Sequence, residues 1–384
     1  MKILLVHNFY KQPGGEDTVF KNEKKLLEEN GHKVVTYTRD NNELSLLDLL
    51  NAGFSFRTYR DIRNILSVGG FDLVHVHNTQ FLISPAVFKA ARDEGVKAVW
   101  TLHNFRLVCA SALLYRKCRT CEACIKDIDG KGPDYGRALR GRCYRDSFIY
   151  TAILVNIHEQ ALKAGLFKDL SMICLTDFNK QKLIEGGFCA GKIFIKPNFT
   201  WRSAFKGTEK IIPRTFIYVG RIEEIKGIWD ILREWKKLPL GYELICCGDG
   251  EIDPSMRLPN VKFLGQVEKD KVLRLMSRAQ ALIFASRVYE CFPMTIIESF
   301  SVGTPVLGTK QGNGGTLLRR IYSHGRSESS AEKLIMKDIT ELSDRVLSFR
   351  REDYSFDKKA LEDYYPEKNY EKLMSIYREI QGNL

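Results

Sequence analysis

Two successive runs of short apolar segments alternating with amphipathic helical ones, parted by a break near residue 200, constrain this chain's fold most. Residues 2–6 read as a buried strand and residues 17–30 as a helix with Leu26 and Leu27 turned inward. Gly31 is placed to end that helix before a strand at 33–37. Strands are expected at 72–77, 98–102, 172–176 and 192–196, with helices over 85–94 and 149–164. After Pro197 and a charged stretch reaching Pro213 the pattern restarts. Strands at 215–219, 242–247, 261–264, 281–285 and 305–307 then alternate with helices at 225–237 and 269–278, and another helix opens near Pro293. This rhythm predicts parallel, doubly wound sheets, because a crossover helix lets neighbouring strands run the same way. The expected architecture is α/β, two Rossmann-like domains facing across a cleft. They span 1–198, with a cysteine-bearing insertion at about 109–146, and 199–365. Residues 366–384 read as a last helix, with Tyr370, Leu373 and Tyr377 inward, packing back on the first domain. Ligands of open α/β sheets collect beyond the carboxyl ends of the strands, so the cleft is the expected site.

Composition narrows the partners. A chain of 384 residues with 44% hydrophobic and 28% charged content is globular and long enough for two cores. No apolar run reaches the roughly 18 residues of a membrane span, and the first residues lack a signal-peptide layout, so a cytoplasmic location is expected. A formal charge of +12 calls for acidic partners: phosphates, anionic lipid or nucleic acid. Arg57, Arg60 and Arg63, interleaved with Phe54, Phe56 and Tyr59, form one basic patch; Arg137, Arg140, Arg142 and Arg145 form another. Either suits an anionic membrane face, which would make the protein peripheral at the inner face of the plasma membrane; a solvated helix face is the alternative. Among ten cysteines, Cys118, Cys121, Cys124 and Cys143 have the look of a structural zinc site, with Cys109 as an alternative ligand. The second knuckle pair is missing, so a redox pair or free thiols stay open.

The chemistry concentrates at strand ends. Gly14 and Gly15 follow the first strand, where glycine lets backbone approach a phosphate, although Pro13 also makes an ordinary turn plausible. His103 closes the strand at 98–102, where polar ligands collect, with a satisfied core histidine as the alternative; His75 and His77 end the preceding strand. Gly220, Arg221 and Lys226 surround the start of the second domain's first helix, where two cations are costly to place together without an anion to share, two solvated surface cations being the alternative. Gly248 in Gly-Asp-Gly, and Val267 after Gly265, stand at later strand ends, suited to the nucleotide and its base. Glu290 precedes the helix that Pro293 opens, Glu298 lies inside it, and the first N–H groups, of Met294 and Thr295, form an anion site. Two acids beside an anion-binding helix end fit a ligand carrying hydroxyls and phosphate, such as a nucleotide sugar.

Taken in order, Gly14-Gly15, Thr101-Leu-His103-Asn104, Gly220-Arg221 with Lys226, Gly248-Asp249-Gly250 and Glu290-x₇-Glu298 resemble the family 4 retaining glycosyltransferases, of glycosyltransferase-B fold. The resemblance covers nearly the whole chain, and 215–307 is its most specific part. It implies a nucleotide-sugar donor held mainly by the second domain and a glycan or polyprenyl-linked acceptor held by the first. Arg221 and Lys226 would hold the diphosphate, Glu298 the ribose hydroxyls, and Glu290 and His103 the sugar. No metal is needed for the chemistry, and the anomeric configuration is retained by front-side displacement aided by the leaving phosphate. The stretch from Thr101 to Ser147 looks like the cysteine-bearing bacterial subgroup that builds surface polysaccharides. One departure stands out: Gly312-Asn-Gly-Gly315 runs into Leu317-Leu-Arg-Arg-Ile321 and the polar 323–332, which puts the second domain's far edge in question. A basic, metal-stapled nucleic-acid-binding protein is the alternative of another class. It leaves the cations and acids of the second domain unexplained, and no nucleic-acid partner is expected. A nucleotide-sugar epimerase is the sibling reading on the same fold.

Overall fold

The computed structural model describes residues 1–11, 14–45, 48–49, 51–125, 133–167, 169–202 and 210–382. Pro13, residues 126–132 of the cysteine-bearing insertion and residues 203–209 of the break lie outside that set. The chain forms two compact units. The first comprises residues 1–114, 121–198 and 369–384; the second comprises 115–120 and 199–368.

The first unit is built on six strands: β1 (Lys2–Phe9), β2 (Lys33–Asp40), β3 (Leu73–Val76), β4 (Lys97–Thr101) and, after a hairpin of β5 (Tyr115–Arg116) and β6 (Arg119–Thr120), β7 (Ser171–Cys174) and β8 (Ile193–Ile195). Their order is β2-β1-β3-β4-β7-β8, every pair parallel. Ile3, Leu4, Leu5 and Val6 are wholly buried, as in a strand covered on both faces. The helix Gly15–Glu29 lays Leu27 on one face. The last helix, Pro366–Gln381, sends Leu373 and Tyr377 into the same core, against Ile3, Leu73 and Val99. Ser55 and Ser147 cap the helices Phe56–Ser67 and Phe148–Lys163 by accepting from Thr58 and Tyr150 N–H. The hairpin β5–β6, expected inside the first domain's insertion, groups with the second unit.

The second unit has five parallel strands: β9 (Thr215–Val219), β10 (Glu243–Cys247), β11 (Val261–Phe263), β12 (Leu282–Phe284) and β13 (Val306–Gly308). Their order is β11-β10-β9-β12-β13. Strand order reverses between β1 and β3 in the first sheet and between β9 and β12 in the second, and such switch points open the crevice where ligands of these sheets bind. The Gly312–Gly315 departure proves to be the first turn of a helix, Gly312–Ser323. A Cβ on Gly314 would lie 2.4 Å from the Phe284 ring and one on Gly315 would overlap the Lys310 carbonyl, so the glycines let this helix seat directly on the end of β12. The polar stretch beyond carries a short helix, Glu328–Glu332.

Candidate functional site

In the second unit, chemistry-bearing side chains gather at the β9/β12 switch point. The chain leaves β9 through Gly220 and Arg221 and makes a tight turn over Glu224–Lys226. It enters the helix Ile228–Trp235 at Gly227, which has φ +75°. A Cβ on Gly227 would fall 1.9 Å from the Ala285 carbonyl oxygen, so only glycine brings this turn against the end of β12. The Arg287 N–H donates to Ile225 O at 2.9 Å and locks the approach. Lys226 Nζ thereby reaches Glu290 Oε1 at 2.6 Å, and Ser286 Oγ donates to the same oxygen at 2.7 Å. Asn313 holds the Glu290 carbonyl. Arg287, which sequence reasoning passed over, grips Asp230 at 2.5 and 2.6 Å and Glu224 at 2.8 Å. The hydrogen bonds to Asp230 first, and then the one with Tyr115, raise its guanidinium above the ordinary value against the effect of burial.

Each cation expected to need an outside anion has a carboxylate of its own. Arg221 pairs with Glu223 at 2.8 Å, but its side chain is 57% exposed, and an exposed pair of this kind is worth only about 0–1 kcal/mol. An incoming phosphate would displace it cheaply. Glu298 is held by Lys269 at 2.9 Å and not by the Lys226 group. The helix Met294–Ser301 begins at Pro293 with no side-chain cap; Ile296 N–H is already bound to the Pro293 carbonyl. Gly248 has its own reason to be glycine, since a Cβ there would lie 1.8 Å from Gly220 O, and its N–H donates to Gly265 O at 2.8 Å. Val267 lies past that carbonyl, half-buried ahead of the helix Lys269–Arg278.

In the first unit the strand ends of β1, β3 and β4 carry a buried polar cluster that sequence reasoning saw only in part. His103 Nε2 lies 3.0 Å from His77 Nδ1, and His77 Nε2 lies 3.2 Å from Glu23 Oε1. Glu23, wholly buried on the first helix, also faces His75 Nδ1 at 3.0 Å and Lys196 Nζ at 2.8 Å. Burial alone would raise its carboxyl, but the Lys196 ammonium, aided by the hydrogen bond with His77, outweighs it and holds the group well below the usual carboxylate range. Burial also pushes His75 down to about 3, and it lowers His103 strongly. Both imidazoles therefore stay neutral. Glu16, next to Gly15, is pushed up to about 8 by burial against the pull of Arg106; its Oε2 accepts from Tyr10 at 3.2 Å. Gly14 and Gly15 face open space, with nothing within 4 Å of a Cβ built on either, and neither has the positive φ that would demand glycine. Protein packing therefore does not account for these two glycines.

Over 98% of its length the chain matches the lipopolysaccharide outer core galactosyltransferase WaaB in its apo form (TM-score 0.60, 15% identity, 99% of that chain). It also matches Anabaena Alr3699/HepE in complex with UDP and glucose (TM-score 0.62, 14% identity, 98% of each chain). The fold is glycosyltransferase-B. Residues 213–350 match the family described as glycosyl transferases group 1. Among curated proteins, the uncharacterized glycosyltransferase MJ1059 of Methanocaldococcus jannaschii is 31% identical over 104 residues, 24% of this chain and 25% of that protein. D-rhamnosyltransferase WbpZ of Pseudomonas aeruginosa is 27% identical over 114 residues, 28% of this chain and 29% of that protein. The chain thus aligns with between a quarter and a third of the length of these relatives.

The cysteines of the candidate zinc site divide between the two units. Cys118, on the β5–β6 hairpin, belongs to the second unit and stands beside Glu224. Cys109, Cys121, Cys124 and Cys143 belong to the first. There burial, then Cys109, Cys143 and Cys121, push the Cys124 thiol up to about 12, and Cys124 and Cys143 pack with Ala110, Tyr135 and Ala138. Among the described residues, only Glu23, His75 and His77 bring three potential ligand atoms within 4.8 Å of one another, so a metal on the cysteines would have to draw the sulfurs together. Of the basic patches, Arg57 and Arg60 flank Asp61, and Arg63 binds Glu94 at 2.6 Å. Arg140, Arg142 and Arg145 are exposed, close in sequence to the exposed Phe148, Ile149 and Tyr150. No helix among the described residues is long and apolar enough to cross a membrane.

Proposed function

We propose that this chain is a retaining glycosyltransferase that moves a sugar from a nucleotide-sugar donor to a glycan or lipid-linked acceptor in surface polysaccharide assembly. The observation that carries the reading is the Lys226–Glu290 pair at the switch point of the second sheet, joined by Ser286 and neighboured by the loosely paired Arg221. A diphosphate takes Arg221 from Glu223 and leans on Lys226, so that negative charge building on the leaving phosphate meets two cations. Glu290 and His103 receive sugar hydroxyls, and Glu298 the ribose. The HepE structure, which holds UDP and glucose on the same fold, supports a nucleotide-sugar donor. The cysteine-bearing insertion is the basis for the bacterial subgroup, and Arg140, Arg142 and Arg145 with Phe148, Ile149 and Tyr150 are the surface proposed to rest on anionic lipid at the inner membrane face.

The test is a panel of UDP-, GDP- and dTDP-sugars. Thermal stabilisation by one nucleoside diphosphate is expected, with release of that diphosphate from its sugar and an anomer matching the donor in the product by NMR. A panel in which no nucleotide stabilises the protein or is released would overturn the reading; an inverted product would overturn retention alone.

A further inference from the structure

We propose that Glu23, kept ionised by Lys196, acts through His77 to decide which nitrogen of His103 is offered to a sugar hydroxyl. The inference rests on the reading of His103 as a group that meets the sugar, but every bond that carries it lies within the first unit. Lys196 Nζ sits 2.8 Å from Glu23 Oε2 and donates to Asn369 Oδ1 at 3.0 Å, both charged groups sealed from water. An ionised carboxylate can only accept, so His77 Nε2, 3.2 Å from Glu23 Oε1, carries the proton of that bond. Lys196 already balances Glu23. With its hydrogen on Nε2, His77 offers Nδ1 as the acceptor.

That nitrogen lies 3.0 Å from His103 Nε2, with the two rings inclined by only 16°. The contact is a hydrogen bond only if His103 Nε2 carries hydrogen. His103 is neutral, so its single proton is committed there and Nδ1 is left as an acceptor. Among the described residues no group is seen to hydrogen-bond that Nδ1, and the ring is only partly covered. His103 thus presents a lone pair, which receives a hydroxyl proton and turns away an ether or carbonyl oxygen. His75 braces the other side, with Nδ1 2.6 Å from Tyr377 OH and Nε2 2.7 Å from Thr101 Oγ1. A metal on Glu23, His75 and His77 is the competing reading of the same atoms. The Lys196 ammonium on the same carboxylate opposes it, because a cation would have to enter beside a cation. Glu23, Lys196 and His77 are positioning residues; His103 alone of the four would touch the sugar.

Nitrogen-15 histidine NMR of the full chain, with the His103 signals assigned by their loss in His103→Gln, reads the tautomer directly. The wild type is expected to carry the His103 proton on Nε2, unchanged by EDTA. In Glu23→Gln, Lys196 draws the amide oxygen and turns the amide NH₂ toward His77 Nε2. Both imidazoles then reverse, His103 shows a proton on Nδ1, and kcat/KM for the donor found by the panel falls by roughly tenfold or more, the worth of one lost hydrogen bond. An Nδ1–H proton on wild-type His103, or histidine signals that move with EDTA, overturns the relay. If Glu23→Gln fails to fold, the wild-type spectrum decides. A wild type that turns over no donor yet shows the Nε2–H form would sink the proposed activity and leave the relay standing.

Discussion

Replacing Lys196 by Met removes the cation from the buried pair and tests the frame behind His103. The pair is 2.8 Å long, with side chains 1% and 0% exposed, so its loss leaves Glu23 as a buried carboxylate with only imidazoles beside it. Breaking a buried pair from one side costs about 3–5 kcal/mol, against about 0–1 kcal/mol for a solvated one. In a unit of this size each kcal/mol shifts the midpoint by about 2–4 °C, so the first unit's thermal transition should fall by roughly 6–20 °C. The pH dependence follows from the direction of the Glu23 shift. Its folded pKa is depressed, so its contribution is present above the unfolded value and is lost as pH falls through the folded one. The gap between wild type and Lys196→Met should therefore be widest near neutrality and narrow toward acid. Thermal melts and urea denaturation, both followed by far-UV circular dichroism at several pH values, measure the two effects. A loss under about 1 kcal/mol, or a gap that does not narrow in acid, would refute a fully buried, ionised Glu23.

Three further outcomes are expected. Glu298→Gln should weaken nucleoside diphosphate binding, because a neutral amide accepts less well from ribose hydroxyls; unchanged affinity by calorimetry would remove that role from Glu298. Arg221→Ala should lower turnover by about 10²–10³-fold if the guanidinium meets charge on the leaving phosphate, and near-wild-type turnover would leave it a surface cation. If the thiols hold zinc, purified protein should carry about one ion, as a tetrahedral thiolate site binds one. Cys124→Ser should lose it and Cys118→Ser should keep it, whereas a metal-free, folded wild type would leave only thiols.

The strands were legible because buried parallel strands are written as short apolar runs. Residues 215–219 were read as the strand they form, and 269–278 as the helix. Boundaries slipped where polar residues end a strand inside the fold: residues 72–77 read as one run, yet β3 stops at Val76 and His77 turns into the cluster. His103 stood out as a polar residue at a strand end, and Lys226 and Glu290 as charges beside helix starts. Their partners did not. Ser286, Asn313, Glu23 and Lys196 look ordinary in sequence, and Glu23 sits in a helix rich in Glu and Lys where a solvated face is the natural reading.

By itself, then, the sequence determined the local periodicities, the two parallel sheets and the loops from which chemistry is offered, because apolar spacing and glycine placement act over a few residues. Only the tertiary structure decided the pairings. Lys196 meets Glu23 across 173 residues of sequence. Asn369, on the last helix, then holds that lysine, and Cys118 parts from the cysteines beside it in sequence. Charge pairing, and with it the proton positions on His77 and His103, depends on distances of about 3 Å between residues remote in sequence. Periodicity carries no information about such distances.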